Sequence, residues 1–415
     1  MHAGRRNFRA VWPSLFATSL GLTAFLPVLA LYVQERFRID DPQEVAFWAS
    51  AIFGAGPLAA ACMGPLWGAM GDRYGKKRMA VRANVAIAVA TSLMPFAESP
   101  VLLLGMRVAQ GLFAGFVAPA MSLVTSQLPP AVHGRAIARL QVAMALGSFV
   151  GPYVGAEVAG VFGRGALFWI ASVASAVSAL RLQLSAVEAA PSAEARRRSF
   201  FGGFVHGSRQ LLQNRVFATL LALLLLMRLG QNMLEPMVAL FVAELGAWPF
   251  LSRLGGDDAL AVDRTIAVAF GVLAVGQWVC TPFWGRLADR HGPLRCLVGL
   301  SLGLAAVLSA TALVTSIGQF LLARCAVACL MAGSLTLAYA AISKRVADEH
   351  RTLAFSLVQS CIQLGVAFGP LVGAAVARTD DGPDYRAAFA AAGALCGAAG
   401  AGMFLLRRVE RRLTG

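Results

Sequence analysis

Long apolar runs separated by short polar connections dominate the sequence. Twelve such runs fall near residues 10–33, 47–70, 79–97, 100–125, 136–161, 165–186, 216–242, 264–287, 294–314, 317–342, 352–377 and 385–406. A helix that crosses a membrane needs about 20 predominantly apolar residues, and each run is about that long. The pattern therefore predicts an all-α integral membrane protein with twelve transmembrane helices, which we number span 1 to span 12 in chain order.

Composition and charge support the same class of protein. The chain is 58% hydrophobic and 14% charged, whereas soluble domains are about 45–50% apolar and about 25% charged. A disordered chain, a secreted disulfide scaffold and an ordinary soluble enzyme are therefore excluded. The net charge is +15, and most Lys and Arg residues lie on the connections of one side, together with both termini. The positive-inside rule predicts that this side is cytoplasmic.

The longest polar connection divides the twelve spans into two predicted halves. We predict an N-terminal six-helix half over residues 1–187, a linker over 188–215 and a C-terminal six-helix half over 216–415. The linker combines Arg196, Arg197 and Arg198 with apolar residues that follow them. It is either an amphipathic helix on the cytoplasmic membrane surface or a plain solvated linker.

The two halves repeat one another at a near-constant spacing of 209 to 218 residues. Pro27 recurs as Pro236, Arg107 recurs as Arg324, and two longer motifs recur as well. Two pseudo-symmetric six-helix halves around a central linker are typical of secondary transporters. Their substrate sites lie near the membrane midplane, where the repeats meet.

The first repeated motif joins span 2 to span 3 and span 8 to span 9. It comprises Gly68, Asp72, Arg73, Gly75, Lys77 and Arg78 in the first copy, and Gly285, Asp289, Arg290 and Gly292 in the second. The last glycine of each copy allows a tight turn with positive φ. We expect Asp72 to accept from backbone N–H groups near a helix N-terminus. The alternative is a basic cytoplasmic loop with no further role.

The second repeated motif places glycines four residues apart beside a proline. It comprises Gly147, Gly151, Pro152 and Gly155 in span 5, and Gly365, Gly369, Pro370 and Gly373 in span 11. Glycines four apart lie on one helix face and let two helix backbones touch. The proline removes a helix hydrogen bond and bends the helix.

Span 7 contains the most polar stretch inside any predicted span. Arg228 and Glu235 are seven residues apart and therefore on one face of a continuous helix. We predict a substrate and proton site here, formed by Arg228, Gln231, Asn232, Glu235, Gln141, Gln359 and Gln363. Glu235 is either a proton carrier or one half of a static ion pair with Arg228. Arg107 either takes part in proton coupling or braces a helix end, and bracing is favoured for Arg324.

These motifs resemble those of the major facilitator superfamily, and the resemblance covers essentially the whole chain. Gly68 to Arg78 is similar to the loop motif of that superfamily, in which the acidic residue acts in gating. Arg107, Gln110 and Gly111 resemble a span-4 motif of proton-coupled members. The glycines of span 5 resemble the antiporter motif of drug exporters, although Ala156 replaces a final glycine.

Within that superfamily the chain resembles the twelve-span drug:proton antiporters of bacteria. The resemblance implies rocker-switch alternating access in the inner membrane, with small amphiphilic molecules or drugs exported in exchange for protons. One departure stands out, because several drug antiporters carry an acid in span 1 and this chain has none between Ala10 and Val33.

Motifs of other function classes are missing from the sequence. There is no GxxxxGK[ST] phosphate loop, no HExxH, no GxSxG, no dinucleotide fingerprint and no clustered metal ligands. We therefore expect no enzyme, no metal, no cofactor beyond the proton gradient and no nucleic-acid partner. The expected partners of the monomer are a small-molecule substrate, protons and membrane lipids. Three alternatives stay open: a dedicated exporter of an anionic metabolite such as a siderophore or organic acid, an importer, and a non-transporting membrane sensor or enzyme.

Overall fold

The computed structural model describes residues 2–129, 132–188, 208–255, 257–343, 345–346, 351–380 and 382–414. Within these residues, twelve helical segments are long and apolar enough to cross a membrane. They correspond one to one to spans 1 to 12, so the predicted fold class is confirmed.

Most spans are single helices, and spans 1, 4 and 7 are each formed by two helices. In the first half, span 1 comprises His2–Phe25 and Leu29–Phe37, span 2 is Pro42–Tyr74, span 3 is Lys76–Leu93, span 4 comprises Pro100–Phe113 and Val117–Thr125, span 5 is His133–Phe162 and span 6 is Ala166–Ser185. In the second half, span 7 comprises Arg215–Asn232 and Val238–Leu245, span 8 is Asp258–His291, span 9 is Pro293–Thr311, span 10 is Ile317–Ser343, span 11 is Arg351–Ala377 and span 12 is Tyr385–Thr414. Short elements are the helix Pro249–Ser252, the 3-10 turns Leu26–Val28, Met94–Phe96 and Glu235–Met237, and the antiparallel strands β1 (Arg378–Thr379) and β2 (Gly382–Pro383).

Contacts divide the chain into two compact units. The first consists of Met1–Ile39, Ala55–Arg198 and Ala247–Gly271, and the second of Asp40–Gly54, Ser199–Gly246 and Val272–Gly415. Each unit holds most of one predicted half, together with the first residues of span 2 or span 8 from the other half. The predicted amphipathic linker helix falls largely on residues 189–207, which lie outside the described residues, whereas residues 208–213 are helical.

The helix packing inside the two units follows the sequence repeat. In the first unit, span 1 packs against spans 5 and 6, and span 3 packs against span 6. In the second unit, span 7 packs against spans 11 and 12, and span 9 packs against span 12. Leu15, Leu123, Leu140 and Leu182 are fully buried where spans 1, 4, 5 and 6 of the first unit meet.

One tryptophan in each unit makes the same helix-to-helix hydrogen bond. The Trp67 indole N–H donates to the Leu112 carbonyl oxygen at 2.7 Å. The Trp284 indole N–H donates to the Cys329 carbonyl oxygen at 2.7 Å. The sequence repeat is therefore also a repeat of specific contacts.

Helix pairs 2–4 and 8–10 approach closely at a glycine–alanine contact. A Cβ atom added to Gly111 of span 4 would lie 2.8 Å from the Cβ of Ala59 in span 2. At the repeat position, Gly276 of span 8 faces Ala328 of span 10. Each contact has one glycine and one alanine, but the glycine lies on span 4 in one unit and on span 8 in the other.

Candidate transport site and gating contacts

Span 7 is interrupted where its most polar residues lie. Its first helix ends at Asn232, a 3-10 turn covers Glu235–Met237, and a second helix begins at Val238. Pro236 lies in this turn and cannot donate a backbone hydrogen bond. Span 1 is interrupted in the same way at Leu26–Val28, which contains Pro27. The repeat therefore gives each unit one broken helix.

Glu235 forms an ion pair with Arg324 of span 10. The two Nη atoms of Arg324 lie 3.2 and 3.3 Å from the two carboxylate oxygens of Glu235. The side chains are 6% exposed for Arg324 and 12% exposed for Glu235. Of the two alternatives for Glu235, the static pair with Arg228 is therefore not formed. The prediction assumed a continuous helix, whereas the break before Pro236 changes the direction of the Glu235 side chain.

Arg228 lies instead near Tyr339 of span 10 and against Gly365 of span 11. Tyr339 is the titratable group that interacts electrostatically with Arg228. The Tyr339 hydroxyl donates to Oε1 of Gln359 at 3.1 Å, and its ring centroid lies 4.8 Å from that of Phe355. Among the described residues, no carboxylate forms an ion pair with Arg228. We call Arg228, Tyr339, Phe355 and Gln359 the arginine cluster.

The amides predicted for the substrate site differ in their surroundings. Gln231 is 6% exposed and donates through Nε2 to the Ser334 hydroxyl at 3.0 Å, while its Oε1 atom has no hydrogen-bond partner among the described residues. Asn232 donates to the Arg228 carbonyl oxygen at 2.8 Å within its own helix. Gln141 is exposed on span 5, and Gln363 is half-buried on span 11. The structure thus relates Gln359 to Arg228 through Tyr339, and it places Gln141 in the other unit.

Arg107 is buried in the first unit and is 4% exposed. Its guanidinium donates to the Gln110 side-chain oxygen, and Gln110 donates to the Thr91 hydroxyl at 2.6 Å. The guanidinium also lies 5.5 Å from the centroid of the Phe25 ring, at the break in span 1. These contacts join spans 1, 3 and 4 around one cation.

The glycines of spans 5 and 11 contact the backbones of spans 1 and 7. A Cβ on Gly151 would lie 2.6 Å from the Leu20 carbonyl oxygen, and a Cβ on Gly369 would lie 2.8 Å from the Leu229 carbonyl oxygen. Real Cβ atoms essentially never approach other atoms within 3.0 Å. Gly147 and Gly155 meet span 1, and Gly365 and Gly373 meet span 7, in the same manner. The glycines of span 5 therefore bring that helix into backbone contact with the broken span 1, and the glycines of span 11 do the same with the broken span 7.

At the first loop motif, the Glu188 carboxylate lies at the N-terminus of span 3. Its carboxylate accepts from the backbone N–H groups of Lys77 and Arg78, both at 3.2 Å. Gly75 has φ +109°, and a Cβ there would lie 2.6 Å from Glu188 Oε2. We expected Asp72 to accept from these N–H groups, and its side chain lies outside the described residues. Among the described residues the acceptor is Glu188, just after the end of span 6. A carboxylate directly after span 6, near a basic turn, is the sequence signal for it.

The second loop motif keeps the turn but differs in its surroundings. Gly292 has φ +84°, and a Cβ there would meet no described atom within 4 Å. Asp289 and Arg290 are exposed, as is Arg73 in the first copy.

Two groups of ion pairs join spans 1, 5 and 8 within the first unit, at the ends opposite to the chain termini. Arg164 contacts Glu35 and Asp263, both at 3.0 Å. Arg264 contacts Glu157 at 2.6 Å. Burial disfavours the Arg164 cation, but the two carboxylates raise the pKa of Arg164 above its ordinary value. The sequence reading missed Arg164 and Asp263, because no motif or spacing relates them.

Comparison with known proteins matches the whole chain to one family. The family model described as Major Facilitator Superfamily matches residues 11–260 and 245–415. A protein named uncharacterized MFS-type transporter YuxJ, from Bacillus subtilis (strain 168), is 27% identical over 88% of this chain and 89% of its own. The multidrug resistance protein MdtG of Rahnella sp. (strain Y9602) is 29% identical over 90% of this chain and 88% of its own.

Solved structures share the fold at low sequence identity. The crystal structure of the nucleoside transporter NupG superposes with a TM-score of 0.80, at 12% identity, over 96% of this chain and 98% of that one. A bacterial homologue of the lysosomal transporter Spinster, in an inward-facing and unoccupied conformation, gives a TM-score of 0.74 at 16% identity over 98% and 97% of the two chains. At these identities the likeness concerns the fold alone.

Proposed function

Because the chain belongs to the major facilitator superfamily, we propose that it is a proton-coupled antiporter that exports small amphiphilic molecules, drugs among them. The family match confirms the resemblance read from the motifs, and the family and fold point to a transporter. Relatives named multidrug resistance proteins support efflux as the direction of transport. We also propose that both termini lie in the cytoplasm of a bacterial inner membrane, because the Arg-rich connections lie on their side.

The position of Glu235 is the observation that supports the proposed proton coupling. It is a carboxylate inside a membrane span, at a helix break, and it is held by Arg324. Acids within membrane spans are costly to bury and mark proton or ion pathways. We propose that Glu235 exchanges its proton as the ion pair with Arg324 opens and closes. Protonation removes the charge that Arg324 holds, so that a substrate and a proton compete for the same carboxylate.

The glycine contacts suit such a cycle. Spans 5 and 11 lie directly against the broken spans 1 and 7, so each pair moves as one body when a helix break flexes. In a rocker-switch mechanism, this transmits a change at Glu235 to the rest of its unit.

Transport in membrane vesicles tests the assignment of Glu235. In everted vesicles, we expect Glu235→Gln to abolish substrate uptake driven by a pH gradient, while substrate exchange across the membrane without a gradient continues. Glu244→Gln is the matched control, because Glu244 is an exposed acid near the end of the same span and should leave both activities unchanged. Gradient-driven transport that survives in Glu235→Gln would remove this carboxylate from the coupling mechanism.

The arginine cluster favours a second candidate, a dedicated exporter of an anionic metabolite. Arg228 is a cation within a span, and no described carboxylate forms an ion pair with it. Tyr339 lies near it, and the Tyr339 hydroxyl donates to Gln359, which adds a second polar side chain to the cluster. Arg228→Gln separates the two candidates. Lost export of organic anions supports the second, and unchanged export of lipophilic cations supports the first.

A further inference from the structure

A cavity of about 510 Å³ lies beside the chain terminus in the first unit. It is lined by Gly4, Arg5, Phe8, Arg9, Leu128, Val132, Ala136 and Arg139. Arg5 and Arg9 are one helical turn apart on span 1, so both point from one face of that helix. Arg139 comes from the first turns of span 5. Three guanidinium groups from two helices thus surround one space.

The segments that carry the lining residues are joined by contacts of neighbouring residues, and among the described residues the side chains of Arg5, Arg9 and Arg139 take no part in them. The buried Asn7 side chain donates to Gln127 Oε1 at 2.8 Å and to the Val187 carbonyl oxygen at 2.9 Å. Gly4 allows close packing, since a Cβ there would lie 2.6 Å from Leu128 Cδ2. By contrast, the Nε–H group of the neighbouring Arg6 donates to the Ser185 carbonyl oxygen at 2.9 Å. The cavity is therefore a built feature of the fold.

The three lining arginines carry charge that the described protein does not neutralise. Arg5, Arg9 and Arg139 are exposed, and the ion pairs found among the described residues include none of them. Like charges around one space repel each other unless an anion enters. Guanidinium groups bind phosphate oxygens in a two-pronged geometry. The chemistry of the cavity fits a phosphate-bearing anion.

The position of the cavity along the spans indicates that the phosphate belongs to a lipid headgroup rather than to a free anion. Gly4 and Arg139 are the first residues of the candidate membrane segments of spans 1 and 5, so the cavity lies at the ends of two spans, where a membrane would present its lipid headgroups. Phe8, Leu128 and Val132 add an apolar wall that suits a glycerol backbone and the start of an acyl chain. Basic pockets between transmembrane helices on the cytoplasmic side bind anionic headgroups. We propose that this cavity is a binding site for one anionic phospholipid, separate from the transport site.

Lipid titration of the purified full-length protein tests the proposal. The probes are phosphatidylglycerol, phosphatidylcholine and inorganic phosphate, and binding is read by native mass spectrometry. Each guanidinium near an anionic group contributes roughly fivefold in affinity. We therefore expect the triple variant R5Q/R9Q/R139Q to bind phosphatidylglycerol about 100-fold more weakly than the natural protein, since three such factors multiply.

A matched control separates the cavity from general surface charge. The variant R209Q/R215Q/R408Q removes three exposed arginines from the same side of the protein and should leave the Kd within about threefold, since none of them lines the cavity. An equal loss in this control, or equal binding of phosphatidylcholine and phosphatidylglycerol, overturns the proposal. Displacement of the lipid by inorganic phosphate at comparable affinity overturns the lipid assignment in favour of a free-anion site.

Single and charge-conserving variants cover the case in which the triple variant does not fold. R139Q alone should weaken phosphatidylglycerol binding roughly fivefold. The variant R5K/R9K/R139K keeps the charge and should retain binding within about tenfold, because lysine binds phosphate as a point charge. An unchanged Kd in R139Q refutes a role of the cavity.

Discussion

The buried ion pair of Glu235 and Arg324 leads to a quantitative prediction about stability. Both side chains are nearly buried, at 12% and 6% exposure. Replacing Glu235 with Gln removes the carboxylate that both Nη atoms of Arg324 contact. Breaking a buried pair from one side costs about 3–5 kcal/mol. We therefore expect Glu235→Gln to lower the free energy of unfolding by about 3 kcal/mol, equivalent to roughly 100-fold in the folding equilibrium.

The pair of Glu157 and Arg264 is a matched comparison within the same protein. Its two side chains are 57% and 16% exposed, so water screens the ion pair and solvates a remaining charge. Exposed pairs contribute about 0–1 kcal/mol. Glu157→Gln should therefore lower the free energy of unfolding by about 1 kcal/mol or less.

Reversible unfolding in mixed detergent micelles, followed by circular dichroism, measures both effects. The double variant Glu235→Leu/Arg324→Met removes both buried charges and should recover most of the stability lost in Glu235→Gln, because both members of the pair are removed together. The reasoning is refuted if Glu235→Gln costs no more than Glu157→Gln. It is equally refuted if the double variant is less stable than Glu235→Gln.

Three further predictions concern helix contacts in the first unit. Gly151→Leu should destabilise the protein by roughly 3 kcal/mol or more, because the new side chain meets the span 1 backbone. Gly318→Leu is the control, since a Cβ at Gly318 meets no described atom within 4 Å. It should unfold at the same detergent concentration as the natural protein. Glu188→Gln should weaken the cap of span 3 by about 0.5–2 kcal/mol, and faster hydrogen exchange of the Lys77 amide would report it, while an unchanged rate would contradict it. Trp67→Phe should cost about 1–3 kcal/mol through the lost hydrogen bond to span 4, and unchanged resistance to detergent unfolding would show that this bond contributes little.

The twelve spans were predictable because lipid imposes a simple rule on sequence. A helix within hydrocarbon must be apolar for about 20 residues, so each span is visible as a run of residues. The repeat was equally visible, and it anticipates contacts as well as elements. Trp67 and Trp284 make the same hydrogen bond because both sequence and neighbours were duplicated.

The partner of Glu235 was not predictable in the same way. Spacing along one helix suggests Arg228, but the break at Pro236 removes the regular geometry on which spacing arguments depend. Arg324 is far away in sequence, and only the packing of span 10 beside span 7 brings it close. The acid at the end of span 6 shows the same limit, since Glu188 reaches span 3 through tertiary packing.

The glycine–alanine contacts between spans 2 and 4, and between spans 8 and 10, are alike in composition although the two residues have exchanged helices. Ala59 faces Gly111, whereas Gly276 faces Ala328, so the smaller residue has changed helices while the combined volume of the pair has stayed the same. The two halves thus share the composition of the pair but not the residue at either position. A tally of identical residues between the halves would score both positions as divergent, although each half places one glycine against one alanine between the same pair of helices.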